Sequence, residues 1–205
     1  MDSSIDSHSE YIDQTFKEVH LDGEKLFASE FYDCTFARCS FTGCTFRACR
    51  FVNCTFQQCD LSLIQVPDST FSGTRFVDSK IIGVDWTQAD WAVVGLGDPI
   101  GFSKCAISHS TFIGLSLKEL LIKDCIATDV DFREADLTKS DFAGTDLSES
   151  LFSSTNLTEA DLSSTRNYHI PPEQNVLKQA KFSLPEAMAL LYGMDIVLIE
   201  EETSD

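Results

Sequence analysis

The chain has 205 residues and a net charge of −18, from 33 acidic and 15 basic side chains. That balance disfavours direct nucleic-acid binding, because neutralising phosphates takes lysine and arginine in excess. A hydrophobic content of 43%, with 16 phenylalanines, excludes a disordered acidic tail as the whole molecule, and the length suits one domain or two small ones.

Residues 1–10 lack the basic and apolar stretches of a signal peptide, and no apolar run approaches the length of a membrane span. The expectation is a soluble, cytoplasmic protein. From Tyr11 a large apolar residue then recurs every five positions: Phe16, Leu21, Leu26, Phe31 and onward to Trp86, Trp91 and Leu96. A period of five fits neither a helix nor a plain strand. With the large residue numbered i, residues i−2 and i share one side of a three-residue strand, i−1 points the other way, and i+1 and i+2 turn a corner. The i−2 residues are small or β-branched, as at Ser69, Thr74, Ser79, Val84 and Ala89. One large and one small inward residue per edge predict a narrow coil with a filled bore.

All eight cysteines fall at i−2: Cys34, Cys39, Cys44, Cys49, Cys54, Cys59, Cys105 and Cys125. Zinc needs ligands converging on one point, whereas this spacing sends successive thiols to successive sides of a coil. Disulfides need an oxidising compartment, and stacked cysteines have parallel Cβ vectors that suit a bridge poorly. The thiols read as wall, with no metal and no cofactor.

Between Leu96 and Ile100 lie Gly97, Asp98 and Pro99, three residues where two are the rule, and Gly101 follows at once. This register break separates a first stack, 11–96, from a second, 102–166. It reads either as a hinge or bend in the rod or as a tolerated bulge. On either side the step of five is unbroken, which leaves no room for a projecting loop.

Acids gather in the second stack. Asp131, Glu134, Asp136, Asp141, Asp146, Glu149, Glu159 and Asp161 face only Arg133 and Lys139 in that span, and all eight sit at outward positions. Successive units lie on successive sides, so the charge wraps the rod, at a density near the one charge per ~1.7 Å of duplex DNA. Asp141 and Asp161 are expected to stack on one side, and Glu119, Lys139 and Glu159 on another.

Residues 167–205 depart from the step. Ser183 and Glu186 form a capping box around Pro185. Leu184, Ala187, Met188, Leu190 and Leu191 make an apolar helical stripe, Gly193 a stop, and "DIVLIE", with Ile196 and Leu198, a short strand. The segment reads as a cap on the last coil or, in the favoured reading, as a homodimer interface. No catalytic constellation emerges, and the chain is not expected to be an enzyme.

The stretches "ADLTKSDFAGTDLSES" and "TNLTEADLSST" resemble the A(D/N)LXX units of pentapeptide repeat proteins. The resemblance implies an all-β fold, a right-handed quadrilateral β-helix with four units per coil, here nearly eight coils and roughly 35–40 Å long. The long C-terminal segment is most similar to the Qnr, MfpA and McbG group. That likeness implies an acidic mimic of duplex DNA that binds a type II topoisomerase, DNA gyrase, and modulates or protects it from antibiotics or toxins. It also implies pairing through the C-terminal helix. Qnr-type proteins carry projecting loops that take part in protection, which the unbroken step here argues against. The alternative is a rigid scaffold for an unrelated protein partner, with the negative charge serving solubility.

Overall fold

A computed structural model describes residues 5–91, 99–192, 194 and 199. In chain order its strands are β1 (Glu10–Ile12), β2 (Thr15–Lys17), β3 (Lys25–Phe27), β4 (Glu30–Tyr32), β5 (Thr35–Ala37), β6 (Thr45–Arg47) and β7 (Arg50–Val52). Then come β8 (Thr55–Gln57), β9 (Thr70–Ser72), β10 (Arg75–Val77), β11 (Gly101–Ser103), β12 (Leu121–Lys123), β13 (Asp161–Leu162) and β14 (Lys181–Phe182). They are short because each five-residue unit gives three residues to an edge and two to a corner. All their pairing is parallel, with Tyr11 opposite Phe31 and Phe31 opposite Phe51, a register of four units. Isolated parallel bridges such as His20 to Ser40 and Asp131 to Leu151 continue the ladders where longer strands stop. The result is a four-sided parallel β-solenoid of about eight turns. Its sides are named here by the first large residue on each: Tyr11, Phe16, Leu21 and Leu26.

The bore is filled by the i residues. Vertical neighbours inherit the spacing of the coils, so their rings stack in parallel: Phe36 on Phe56 at 4.5 Å and Phe31 on Phe51 at 5.0 Å. Neighbours around one coil meet edge to face, as Phe51 and Phe56 do at 5.6 Å and 62°. Burying each such side chain is worth about 1.5–3 kcal/mol.

The small i−2 residues are more than spacers. Ser69 Oγ accepts the Cys49 amide at 2.9 Å and donates to the Phe46 carbonyl at 2.9 Å. Cysteine does the same: Cys59 Sγ accepts the Cys39 amide at 3.3 Å and donates to the Phe36 carbonyl at 3.3 Å. Where the slot holds Ser, Thr or Cys, the side chain can both donate and accept, which satisfies backbone groups that the corner takes out of the ladder. Burial pushes the Cys44 and Cys54 thiols up to about 12. All eight cysteines are free and buried.

The break differs from expectation. Arg75 pairs with Gly101 and Phe76 with Phe102, and Lys80 bridges Ala106, a register six residues longer than elsewhere. Regular bonding persists to the Asp90 amide, which donates to Ser69 O, and resumes where the Gly101 amide donates to Thr74 O. The spare length therefore lies between these points. Phe102 stands over Phe76, so the register carries six residues more than a coil between Asp90 and Gly101, and the expectation of no room for a projecting segment is corrected. Six residues equal one unit plus one, so apolar spacing alone registers only the odd residue. Gly97 and Asp98 lie outside the described residues. Gly101 is closely packed: a Cβ there would meet Arg75 Cδ at 3.0 Å and Leu121 Cβ at 3.3 Å, and the Arg75 guanidinium donates to the Pro99 carbonyl.

The second boundary also moves. Asn156 bridges Val176, and Asp161 and Leu162 pair with Lys181 and Phe182, so the coil runs to Phe182 instead of ending near 166. Leu177 and Phe182 keep the inward positions, while Pro172–Gln174 turns as a 3-10 helix where a strand would stand. The irregular sequence hides the step because one side of this coil lacks a strand. Among the described residues only Met188–Tyr192 is α-helix (α1). The predicted capping box is not formed: Ser183 Oγ accepts the Ser164 amide at 2.9 Å and is occupied by the coil below.

Candidate partner-binding surface

The eight predicted carboxylates point outward, on all four sides. Asp141 and Asp161 bridge directly on the Phe16 side. Asp136 lies on the Tyr11 side, Asp146 on the Leu21 side and Asp131 on the Leu26 side, while Glu134, Glu149 and Glu159 stand at corners with φ near +60°.

The aspartates and the glutamates differ in what they touch. Each aspartate at i−1 accepts the backbone amide two residues on: Arg133, Thr138, Ala143, Ser148 and Ser163 in turn. Where the next residue but one is Ser or Thr, its hydroxyl donates as well, at 2.6 Å from Thr138 and Ser148. These are Asx turns that hold the corner, which explains the D-L-S/T wording of the repeat. The hydroxyls of Ser148 and Ser163 hold Asp146 and Asp161 below the usual carboxylate range, and Arg133 does so for Asp131.

Bases from neighbouring coils reach the same acids. Lys123 meets Asp141 at 2.9 Å, Lys181 meets Asp161 at 3.4 Å and Lys118 meets Asp136 at 3.5 Å, while Asp131 pairs with Arg133 of its own unit. A count along the chain misses the three lysines, because they sit about a whole coil away in sequence. Residues 100–182 hold twelve acids and eight bases, so the charge of this stack is milder than its richest stretch suggests. After Lys181 come six acids and no base. Glu134, Glu149 and Glu159 form no salt bridge among the described residues and stand at the corners.

In the C-terminal set, Leu184 is 81% exposed, Met188 and Leu191 are exposed, Ala187 is half-buried, and Leu190 packs on the core. Ile196 and Leu198 lie outside the described residues. No group of His, Cys, Asp and Glu able to hold a metal occurs among the described residues, and no helix there is long and apolar enough to cross a membrane.

Family models for a pentapeptide repeat region and for pentapeptide repeats match residues 29–99 and, in two overlapping copies, 123–153 and 131–166. The chain belongs to the pentapeptide repeat family. Its fold matches two trypsin-treated variants of QnrB1, a plasmid-mediated fluoroquinolone resistance protein, each at 19% identity and TM-score 0.70. The matches cover 94% and 95% of this chain and 98% and 99% of those chains. HetL, a pentapeptide repeat protein involved in heterocyst differentiation regulation in a Nostoc cyanobacterium, matches at 13% identity and TM-score 0.46, over 85% of this chain and 88% of that one. No curated protein sequence matches significantly. The repeat models stop at 166, where the pentapeptide wording fades, although the coil itself goes on to Phe182.

Proposed function

We propose that this pentapeptide repeat rod is a non-catalytic, cytoplasmic protein that binds a type II topoisomerase, DNA gyrase first, in place of duplex DNA. In doing so it modulates the enzyme or protects it from an antibiotic or toxin. The observation that carries this reading is an acidic solenoid with the fold of a fluoroquinolone resistance protein over nearly the full length of both chains. Stacked outward carboxylates, Asp141 over Asp161 among them, and the unbridged corner glutamates supply charge at the rhythm of the coils. The exposed Leu184, Met188 and Leu191 support a homodimer through the C-terminal segment. A specific observation favours a second reading, a rigid scaffold for another partner: four of the eight acids are neutralised by bases on the coil.

A supercoiling assay with purified gyrase, with and without drug or toxin, separates the two. The mimic alters supercoiling or restores it under poison. Changing Glu134, Glu149 and Glu159 to lysine should raise its half-maximal concentration by about tenfold or more, since rim charges steer association. The fold should survive, because Lys139 already occupies such a corner at φ 62°. No effect of the native protein at large molar excess, or equal potency of the triple variant, would leave the scaffold.

A further inference from the structure

The Leu21 side carries an outward column in unbroken parallel bridges that starts at His20 and Ser40 and whose last six residues are Asp60, Lys80, Ala106, Ile126, Asp146 and Arg166. In order these are acid, base, small, large apolar, acid, base. Turned end for end, the column sets each charge against its opposite and Ile126 against Ala106. We propose that this side is an interface between two copies of the chain, packed face to face with their axes antiparallel.

A twofold axis across the rod, between the rungs of Ala106 and Ile126, brings Asp60 to Arg166 of the second copy and Lys80 to Asp146. Every contact then occurs twice, as an isologous interface demands. The pattern spans about 24 Å, five strand spacings. Its centre is apolar, with Ile126 57% exposed. Lys80 and Arg166 form no salt bridge within the chain among the described residues. The neighbouring column, Ser62, Ile82, Ser108, Thr128 and Ser148, is mostly small and hydroxyl-bearing, and its one large member, Ile82, falls opposite Ser148 of the second copy. At the adjoining corner His109 and Asp129, paired at 3.0 Å within one chain, also oppose each other across the axis. A net charge of −18 on each copy works against the contact, but the repulsion is screened beyond about 8 Å at physiological salt. A face this narrow gives a concentration-dependent dimer. The contact is independent of any topoisomerase and of the C-terminal segment.

Zero-length carbodiimide cross-linking of the full chain, read by mass spectrometry, tests it. Lys80 and Asp146 lie three rungs apart in one chain, about 14 Å, too far for an amide link. A Lys80–Asp146 cross-link in the dimer band is therefore expected only from the antiparallel pair, and a C-terminal dimer does not produce it. Asp60→Arg should cut its yield several-fold by setting like charges against Arg166, and Asp60→Arg with Arg166→Asp should restore it. Thermal melts check that both variants fold. Absence of the link in the native protein, or equal yield in the single and double variants, would overturn the interface.

Discussion

Thr145 shows what the small inward slot asks of a residue. Its Oγ1 donates to the Ile122 carbonyl at 2.6 Å and accepts the Cys125 amide at 3.2 Å. Thr145→Val keeps the shape and removes both bonds, so we expect a loss of about 1–3 kcal/mol, read as a lower melting temperature, while Thr145→Ser stays close to native. Equal melting of the two variants would mean the slot selects size alone. The thiols share this position, and their titration gives a second test. Cys44 and Cys54 are held as neutral thiols in the fold, at about 12 against an ordinary 9.0. A raised folded value means the stabilisation is complete below about pH 9 and is lost as pH rises toward 12. Melting temperature should therefore fall through that window, and Cys44→Ser with Cys54→Ser should flatten the fall. The sequence spacing placed these residues inward. It carried no sign of their hydrogen bonds, because the partners are twenty or more positions away.

At the scale of the element, each edge is a strand of three and each corner a pair of residues whose second member often has positive φ. Asp33, Glu134 and Lys139 adopt φ of 54°, 60° and 62°, a conformation that costs non-glycine residues about 1–3 kcal/mol unless the surroundings enforce it. Gly144, at φ 74°, has a further constraint: the Asp124 carboxylate occupies the space a Cβ would take. Gly144→Ala should destabilise by about 1–3 kcal/mol in denaturant titration, more than the same change at Gly43, where nothing lies within 4 Å. Equal costs would show that backbone conformation alone sets the penalty. The edges and corners were legible from Tyr11 to Trp91 and from Phe102 to Leu162, because the large residues mark every unit. Two stretches misled for opposite reasons. Up to Leu96 the apolar spacing runs on without a sign of the six extra residues that the register across the break requires. Around Pro171 and Pro172 the spacing lapses although the coil persists.

For the molecule as a whole, the outward aspartates serve the corners first, and their charge is shared with bases one coil away. Sequence order separates Lys123 from Asp141 and Lys181 from Asp161, so the surface potential became legible only once the coils were stacked. The register across the break governs which residues stack, and so which charges and faces align along the upper half of the rod. Nuclear Overhauser contacts between adjacent coils measure it directly. Contacts from the Arg75–Val77 strand to Gly101–Ser103, with Lys80 beside Ala106, are the predicted result. Contacts from Phe76 to Leu96 instead would contradict the register and every pairing drawn from it above the break.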